Sequence, residues 1–355
     1  MVTRLSACLL LPLARVTWGA PCDIYAEHGT PCAAAHSMVR ALFSAYDGGL
    51  YQLKRFNDNA TLDIAPMTAG GVADAASHDA FCAAAASTSS AATAAAAPSY
   101  PPRADCVVYQ IYDQTGHGNH MLPATPAINN PNYDNPVNAT RHSIAVGGGH
   151  KAYGAYFESG MGYRAQNTSR VARGNEPETI YMVTSGTHLN TGCCFDYGNS
   201  ENDCTNHSAY CNGCMEAVYF GTGYGGGGKG PWIGMDMENG IYGGKYVNDS
   251  FLRSDFVTAM VKGGTNSFAT KGADATAGEL KLMSSGPRPG GYQPMHKTGA
   301  IILGVGGDNA DRRGGVGIPG TSIGTFYEGL LTVGYTSDAA DAAVQADIVA
   351  AKYGQ

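Results

Sequence analysis

Apolar residues in this chain recur in short runs separated by glycine-rich or polar connections, not at the three- and four-residue spacing of long amphipathic helices. Runs at Val107–Tyr112, Ile180–Thr184, Glu216–Phe220, Phe256–Lys262, Glu279–Met283, Ala300–Val305 and Thr325–Tyr335 have strand length and β-branched or aromatic content. Many short strands with few helices predict an all-β fold, a sandwich or barrel of antiparallel strands. Two stretches carry helical spacing. Val39, Leu42, Phe43 and Tyr46 predict a helix over Ala33–Tyr46 on the outside of a sheet, and Val344, Ile348 and Ala351 give a closing helix one apolar face, capped by Ser337.

One run breaks the simple pattern. Pro231–Gly240, PWIGMDMENG, places two carboxylates two residues apart in an otherwise apolar stretch. Read as a β-strand, the run puts Asp236 and Glu238 on one face and Met235 and Met237 on the other. A methionine face packed into a core leaves the acids lining a wet cleft; a solvated edge strand is the alternative reading. A second acid, Asp308, follows Gly306 and Gly307 in AIILGVGGDN, where a strand running into Gly-Gly presents it at a sheet rim, although an ordinary Asp-Asn turn fits the same letters.

Composition narrows the class. The 355 residues allow one large all-β domain or two smaller ones, and 49 glycines with only 14% charged residues suit tight turns. A net charge of −7 argues against a nucleic-acid partner. Residues 1–20 read as a secretory signal, with Arg4 ahead of an apolar run and small residues at Gly19 and Ala20, leaving 21–355 as the mature chain. No other run approaches the ~18 apolar residues of a membrane span, so a secreted, extracellular protein with no membrane partner is expected. Sequons at Asn59, Asn138, Asn167, Asn206 and Asn248 agree with that route.

Ten cysteines also suit an oxidising compartment. Cys22 and Cys32 flank a short loop that a local disulfide would close. Cys82 and Cys106 bracket the Ala/Ser/Thr/Pro-rich stretch Ala83–Pro102, read as a long surface loop whose ends a disulfide would pin. Cys193 and Cys194 are adjacent: neighbouring cysteines ordinarily take different partners, while a vicinal disulfide would make a rigid apolar patch suited to a sugar ring. In DQTGHGNH, Asp113, His117 and His120 offer metal-ligand types, but turn chemistry accounts for them as well, and no metal is expected. GVGGDN is not a dinucleotide fingerprint, and GGGGKG lacks the Ser or Thr a phosphate loop needs after its Lys.

Several blocks taken together resemble a known family. IYDQTGHGNH, GTHLNTGCCFDYGN, PWIGMDMENG, AIILGVGGDN and GTFYEGLLTVGYTSDAADAAVQADIVAAKYG are closely similar, in the same order, to the catalytic domain of the fungal α-L-arabinofuranosidases of glycoside hydrolase family 54. The resemblance implies a two-sheet concanavalin-like β-sandwich (jelly roll) with a few peripheral helices. It implies a retaining exo-acting enzyme that removes terminal arabinofuranosyl groups from arabinoxylan, arabinan and other arabinose-containing plant cell-wall polysaccharides. Glu238 then corresponds to the nucleophile and Asp308 to the general acid/base. Asp236, Asn239 and Gly307 correspond to sugar-hydroxyl ligands, and Cys193–Cys194 to a vicinal disulfide against the arabinose. Met215 and an aromatic at or near Tyr224 would complete the wall. Such chemistry needs two carboxyl groups about 5–5.5 Å apart and no cofactor. A monomer is expected. The chain stops after its terminal helix, where family members commonly carry an arabinose-binding module, so weaker anchoring to polymer is expected. Cys204, Cys211 and Cys214 look additional to the family. A catalytically silent, lectin-like carbohydrate-binding protein is the alternative from a different class, and a glycosidase for another sugar is a third reading.

Overall fold

The computed structural model of the chain describes residues 19–88, 104–125, 134–192, 194–202, 212–223, 230–243, 253–304 and 323–355. Its frame is a pair of seven-stranded antiparallel sheets. The first runs, in spatial order, Cys32–Ser37, Gly324–Thr332, Glu178–Ser185, Phe256–Gly263, Ser267–Asp274 and Ala277–Pro287, with Ala155–Phe157 also paired to Gly324–Thr332. The second runs Ile241–Tyr242, Trp232–Asp236, Glu216–Gly221, Asp196–Ser200, Ala300–Gly304, Gly162–Ala165 and Leu122–Pro123. A three-stranded sheet of Tyr51–Arg55, Thr61–Ile64 and Cys106–Ile111 lies apart from these two.

The sheets pack face to face, and their contact explains specific residues. Met235, Val218, Tyr197, Leu303 and Tyr163 form one row across the second sheet, fully buried against the first. Tyr197 lies over Gly329 of the first sheet, where a Cβ would come within 2.5 Å of its ring, and its hydroxyl meets His36 Nδ1 at 2.8 Å. Strands Glu178–Ser185 and Gly324–Thr332 are buried at every position, without the alternation of a half-exposed strand. The second sheet covers one side of them and helices cover the other.

Behind the first sheet lie helices Pro21–Glu27 and Asp338–Ala350. Ser337 caps the latter, accepting from Ala340 N, and Val344 and Ile348 are fully buried, as the sequence pattern predicts. Ion pairs fasten the same helix: Lys262 and Lys271 converge on Asp341 at 2.5 and 2.6 Å, and Arg40 bridges Glu328 and Asp347, each at 2.7 Å.

The expected helix over Ala33–Tyr46 is not formed. Cys32–Ser37 is instead a wholly buried strand on Gly324–Thr332, tied to the first helix by the Cys22–Cys32 disulfide. Burial decides the outcome, since alanines have good helix propensity but also leave a strand surface low enough for helices to pack on it. The start of Ala83–Pro102 also differs from the loop reading. The helix Ala75–Thr88 runs into it and carries Cys82, which is bonded to Cys106 as expected; residues 89–102 lie outside the described residues. In DQTGHGNH, Asp113 accepts from the backbone N–H of Ala35, Thr115 and Asn119, each at 3.0 Å, while His117 Nδ1 meets Ala33 O at 2.9 Å. These groups serve turn geometry.

Candidate active site

The face of the second sheet turned away from the first is built of very small residues and a few acids. One row reads Asp236, Ala217, Gly198 and Ile302, and the next reads Gly234, Tyr219, Asp196 and Gly304. Residues directly opposite across a ladder share a face, so Asp236 and Asp196 belong to one surface. At Gly234 a Cβ would stand 2.4 Å from Ile241, so glycine there keeps the floor flat. Met215 is buried on this side with Ala217 and Ile302.

The strand bearing Asp236 ends there, contrary to the reading in which extended backbone carries on to Glu238. Met237 N donates to Gly240 O at 3.0 Å, closing a two-residue hairpin loop of Glu238 and Asn239 before Ile241–Tyr242. Both loop residues are left-handed, with φ of +62° and +58°, the pattern of a primed hairpin turn. Asp236 is the local cause, because its Oδ1 accepts from Glu238 N at 3.0 Å and draws the backbone away from the ladder. Glu238 therefore sits half-buried at a turn tip, Asn239 is exposed beside it, and Asp236 is only 6% exposed at its base. The methionines behave as expected: Met235 and Met237 are both fully buried.

Burial pushes Asp236 up to about 7; the Glu238 N–H partly offsets this, and the charge of Glu201 adds to it. A carboxyl at the base of the turn is thus neutral in mildly acidic solution. Tyr292 lies against the same turn. Its ring is 5.0 Å from that of Tyr242, and burial, Tyr242 and then the charges of Asp236 and Glu238 raise its hydroxyl's pKa. A Cβ on Gly240 would stand 2.5 Å from the Tyr292 hydroxyl, so this corner requires glycine.

Cys194 is disulfide-bonded, and its sulfur lies 3.7 Å from Asp236 Oδ2. Donor atoms of Cys194, Asp196 and Asp236 all lie within 4.8 Å of one another. A disulfide sulfur has no thiolate to give a metal, so the trio reduces to two carboxyl groups beside an apolar sulfur. Asp196 is absent from the sequence-derived candidates. Its only signal is its place two residues after Cys194 in CCFDYGN, which puts it on the same sheet face once the register is known. Cys214 is disulfide-bonded too. Of the remaining sequence candidates, Cys193, Tyr224, Gly307 and Asp308 lie outside the described residues, as do Cys204 and Cys211.

Comparison with known proteins supplies the context. A family model described as "Alpha-L-arabinofuranosidase B, catalytic" matches residues 21–91 and 83–354. The chain is 47% identical over 346 residues to the α-L-arabinofuranosidase B of Aspergillus oryzae, covering 94% of this chain and 62% of the relative. To that of Emericella nidulans it is 44% identical over 371 residues, covering 99% and 66%. The chain thus spans about 62% of the length of the Aspergillus relatives. A crystal structure of an arabinofuranosidase complexed with arabinofuranosyl-α-1,2-xylobiose is similar with a TM-score of 0.81 and 43% identity, over 94% of this chain and 66% of that one. A family 54 enzyme soaked with a cyclic sulfate inhibitor gives 0.81 and 44%.

Proposed function

The chain belongs to the family of α-L-arabinofuranosidase B catalytic domains, and from that premise we propose that it hydrolyses terminal α-L-arabinofuranosyl groups with retention of configuration. The acidic hairpin turn carries the reading: Glu238 is held half-exposed at a strained tip directly above a buried acid, on a floor of glycine and alanine that a sugar ring can approach closely.

In the proposed mechanism the Glu238 carboxylate attacks the anomeric carbon while the Asp308 carboxyl gives its proton to the departing glycosidic oxygen. An arabinosyl ester on Glu238 results. Asp308, now ionised, takes a proton from water, whose oxygen attacks the same carbon and releases Glu238. Asp236, neutral below about pH 7, donates a hydrogen bond to a sugar hydroxyl and spares Glu238 a second adjacent negative charge. The sulfur of Cys194, paired with Cys193, gives an apolar wall, with Met215 and Tyr224 around it and Asn239 and Gly307 as hydroxyl ligands. The proposed substrates are arabinose side chains of plant cell-wall polysaccharides, acted on by a secreted monomer.

The test is hydrolysis of 4-nitrophenyl α-L-arabinofuranoside by the parent protein, Glu238→Ala and Asp308→Ala, with azide added and products followed by NMR. Loss of turnover in both variants, with azide giving the inverted glycosyl azide from Glu238→Ala and the retained one from Asp308→Ala, is the expected result. An inert, folded parent or a fully active variant overturns the assignment.

A further inference from the structure

Directly behind the acidic turn lies a buried set of four charges that takes no part in the chemistry above. Arg288, 5% exposed, donates through Nε to Gly264 O at 3.0 Å and through Nη2 to Glu216 Oε2 at 2.7 Å. Glu216 opens the strand beside Trp232–Asp236, and Gly264 directly follows the first-sheet strand Phe256–Gly263, so one guanidinium joins the two sheets. Lys297 completes the set, meeting Glu178 at 2.8 Å and Glu216 at 3.3 Å. The site is closely fitted, since a Cβ on Gly263 would overlap the Glu216 carboxylate.

Stability is a poor account of such a group. Two acids and two bases withdrawn from water repay their desolvation only with good geometry, and apolar side chains of the same size commonly do as well or better. What the set does possess is direction. The remaining arm of Arg288, Nη1, lies 3.4 Å from the sulfur of Met237, the residue between Asp236 and Glu238. Met237 is held at every other point: its N–H donates to Gly240 O, its carbonyl accepts from Gly213 N at 2.7 Å, and its side chain is fully buried. The peptide planes on either side of Met237 carry the two acids, so any rotation of this residue moves both carboxyl groups.

We propose that Arg288 is a positioning residue for the acidic turn, fixing Asp236 and Glu238 through its contact with Met237 while Glu216 and Gly264 fix the guanidinium. The proposal rests on the glycosidase reading. No sequence block pointed to it, because Arg288 stands in a turn-like SSGPRPGG stretch that carries no periodicity.

Steady-state kinetics on 4-nitrophenyl α-L-arabinofuranoside test it, using Arg288→Lys, Lys297→Gln, Met237→Leu and the Arg288→Lys/Met237→Leu double variant, well below each melting temperature. A misplacement of ~1 Å in a catalytic group costs up to about a hundredfold in rate, so kcat of Arg288→Lys should fall about tenfold or more with KM little changed. Lys297→Gln breaks the same charge set without touching Met237, and its kcat should stay within about twofold of the parent. The double variant should be no slower than Arg288→Lys alone, as two steps of one route are not additive. Unchanged kcat in Arg288→Lys, or an equal loss in Lys297→Gln, overturns the proposal. Should Arg288→Lys fail to fold, the volume-conserving Met237→Leu decides, since an unaltered kcat there also overturns it. An inert parent or a fully active Glu238→Gln removes the glycosidase reading and this proposal with it. A working parent, an inert Glu238→Gln and a normal Arg288→Lys remove this proposal alone.

Discussion

Glu238 occupies a backbone position that favours glycine or asparagine, and the consequence is measurable. In a two-residue hairpin loop with positive φ at both positions, Glu238 at +62° bears the clash between Cβ and the following carbonyl. That conformation costs an L-residue roughly 1–2 kcal/mol. Glu238→Gly removes the clash and adds about 0.5–1 kcal/mol of lost chain entropy, for a net gain of about 0.5–1 kcal/mol. Glu238→Asn should gain about as much, because asparagine tolerates the left-handed region and a charge is also lifted away from Asp236. With unfolding entropy near 2.1 cal/mol/K per residue, the melting temperature should rise by about 0.7–1.3 °C in each variant. Calorimetry at pH 7 reads the shift, and the same samples should show no arabinofuranosidase turnover. Stability and activity then move in opposite directions at one residue, as expected where strain is retained for chemistry. If both variants melt below the parent, the turn stores no strain; if Glu238→Gly still turns over substrate, Glu238 is not the nucleophile.

Two further outcomes follow from the buried charges. Because the pKa of Asp236 is raised to about 7 in the fold, against ~3.9 for the unfolded chain, the unfolded state releases that proton first as pH rises. Asp236 therefore costs stability increasingly from about pH 4 to pH 7, and Asp236→Asn should widen its melting-temperature advantage over the parent across that window; a constant gap refutes the shift. Lys262→Met leaves Asp341 in contact with Lys271 but strips one of its two buried cations, so a loss of about 3 kcal/mol is expected by urea unfolding, and a loss under about 1 kcal/mol would show the pair to be dispensable.

Strands and two disulfides were readable because their signals are local. Ile180–Thr184, Phe256–Lys262 and Thr325–Tyr335 combine β-branched content with length, and Cys22 and Cys32 are close in sequence. The Ala33–Tyr46 error shows the limit: what makes Cys32–Ser37 a strand is Gly324–Thr332, far along the chain, and nothing nearby announces it. The site was legible to the same degree. PWIGMDMENG marked the acids and the apolar role of both methionines, but the assumption of uniform extension missed the turn, since an Asp side chain competing for a backbone N–H leaves no trace in hydrophobic period. Asp196 and Arg288 depend on ladder register and on contact between sheets, and both are properties of the folded chain.

The central role of Gly324–Thr332 also bears on how the molecule is made. This strand pairs with Cys32–Ser37, Ala155–Phe157 and Glu178–Ser185, yet it is made after all three. Until it emerges, each of those three segments keeps an edge open, the condition in which nascent β-proteins adhere to one another. Closure of the first sheet should be slow, because Cys32–Ser37 and Gly324–Thr332 are far apart in sequence and have to be gathered before that sheet gains its middle. Removal of Gly324–Thr332 would leave Cys32–Ser37 no strand to join, and production of the protein should depend on holding factors more than its finished stability suggests.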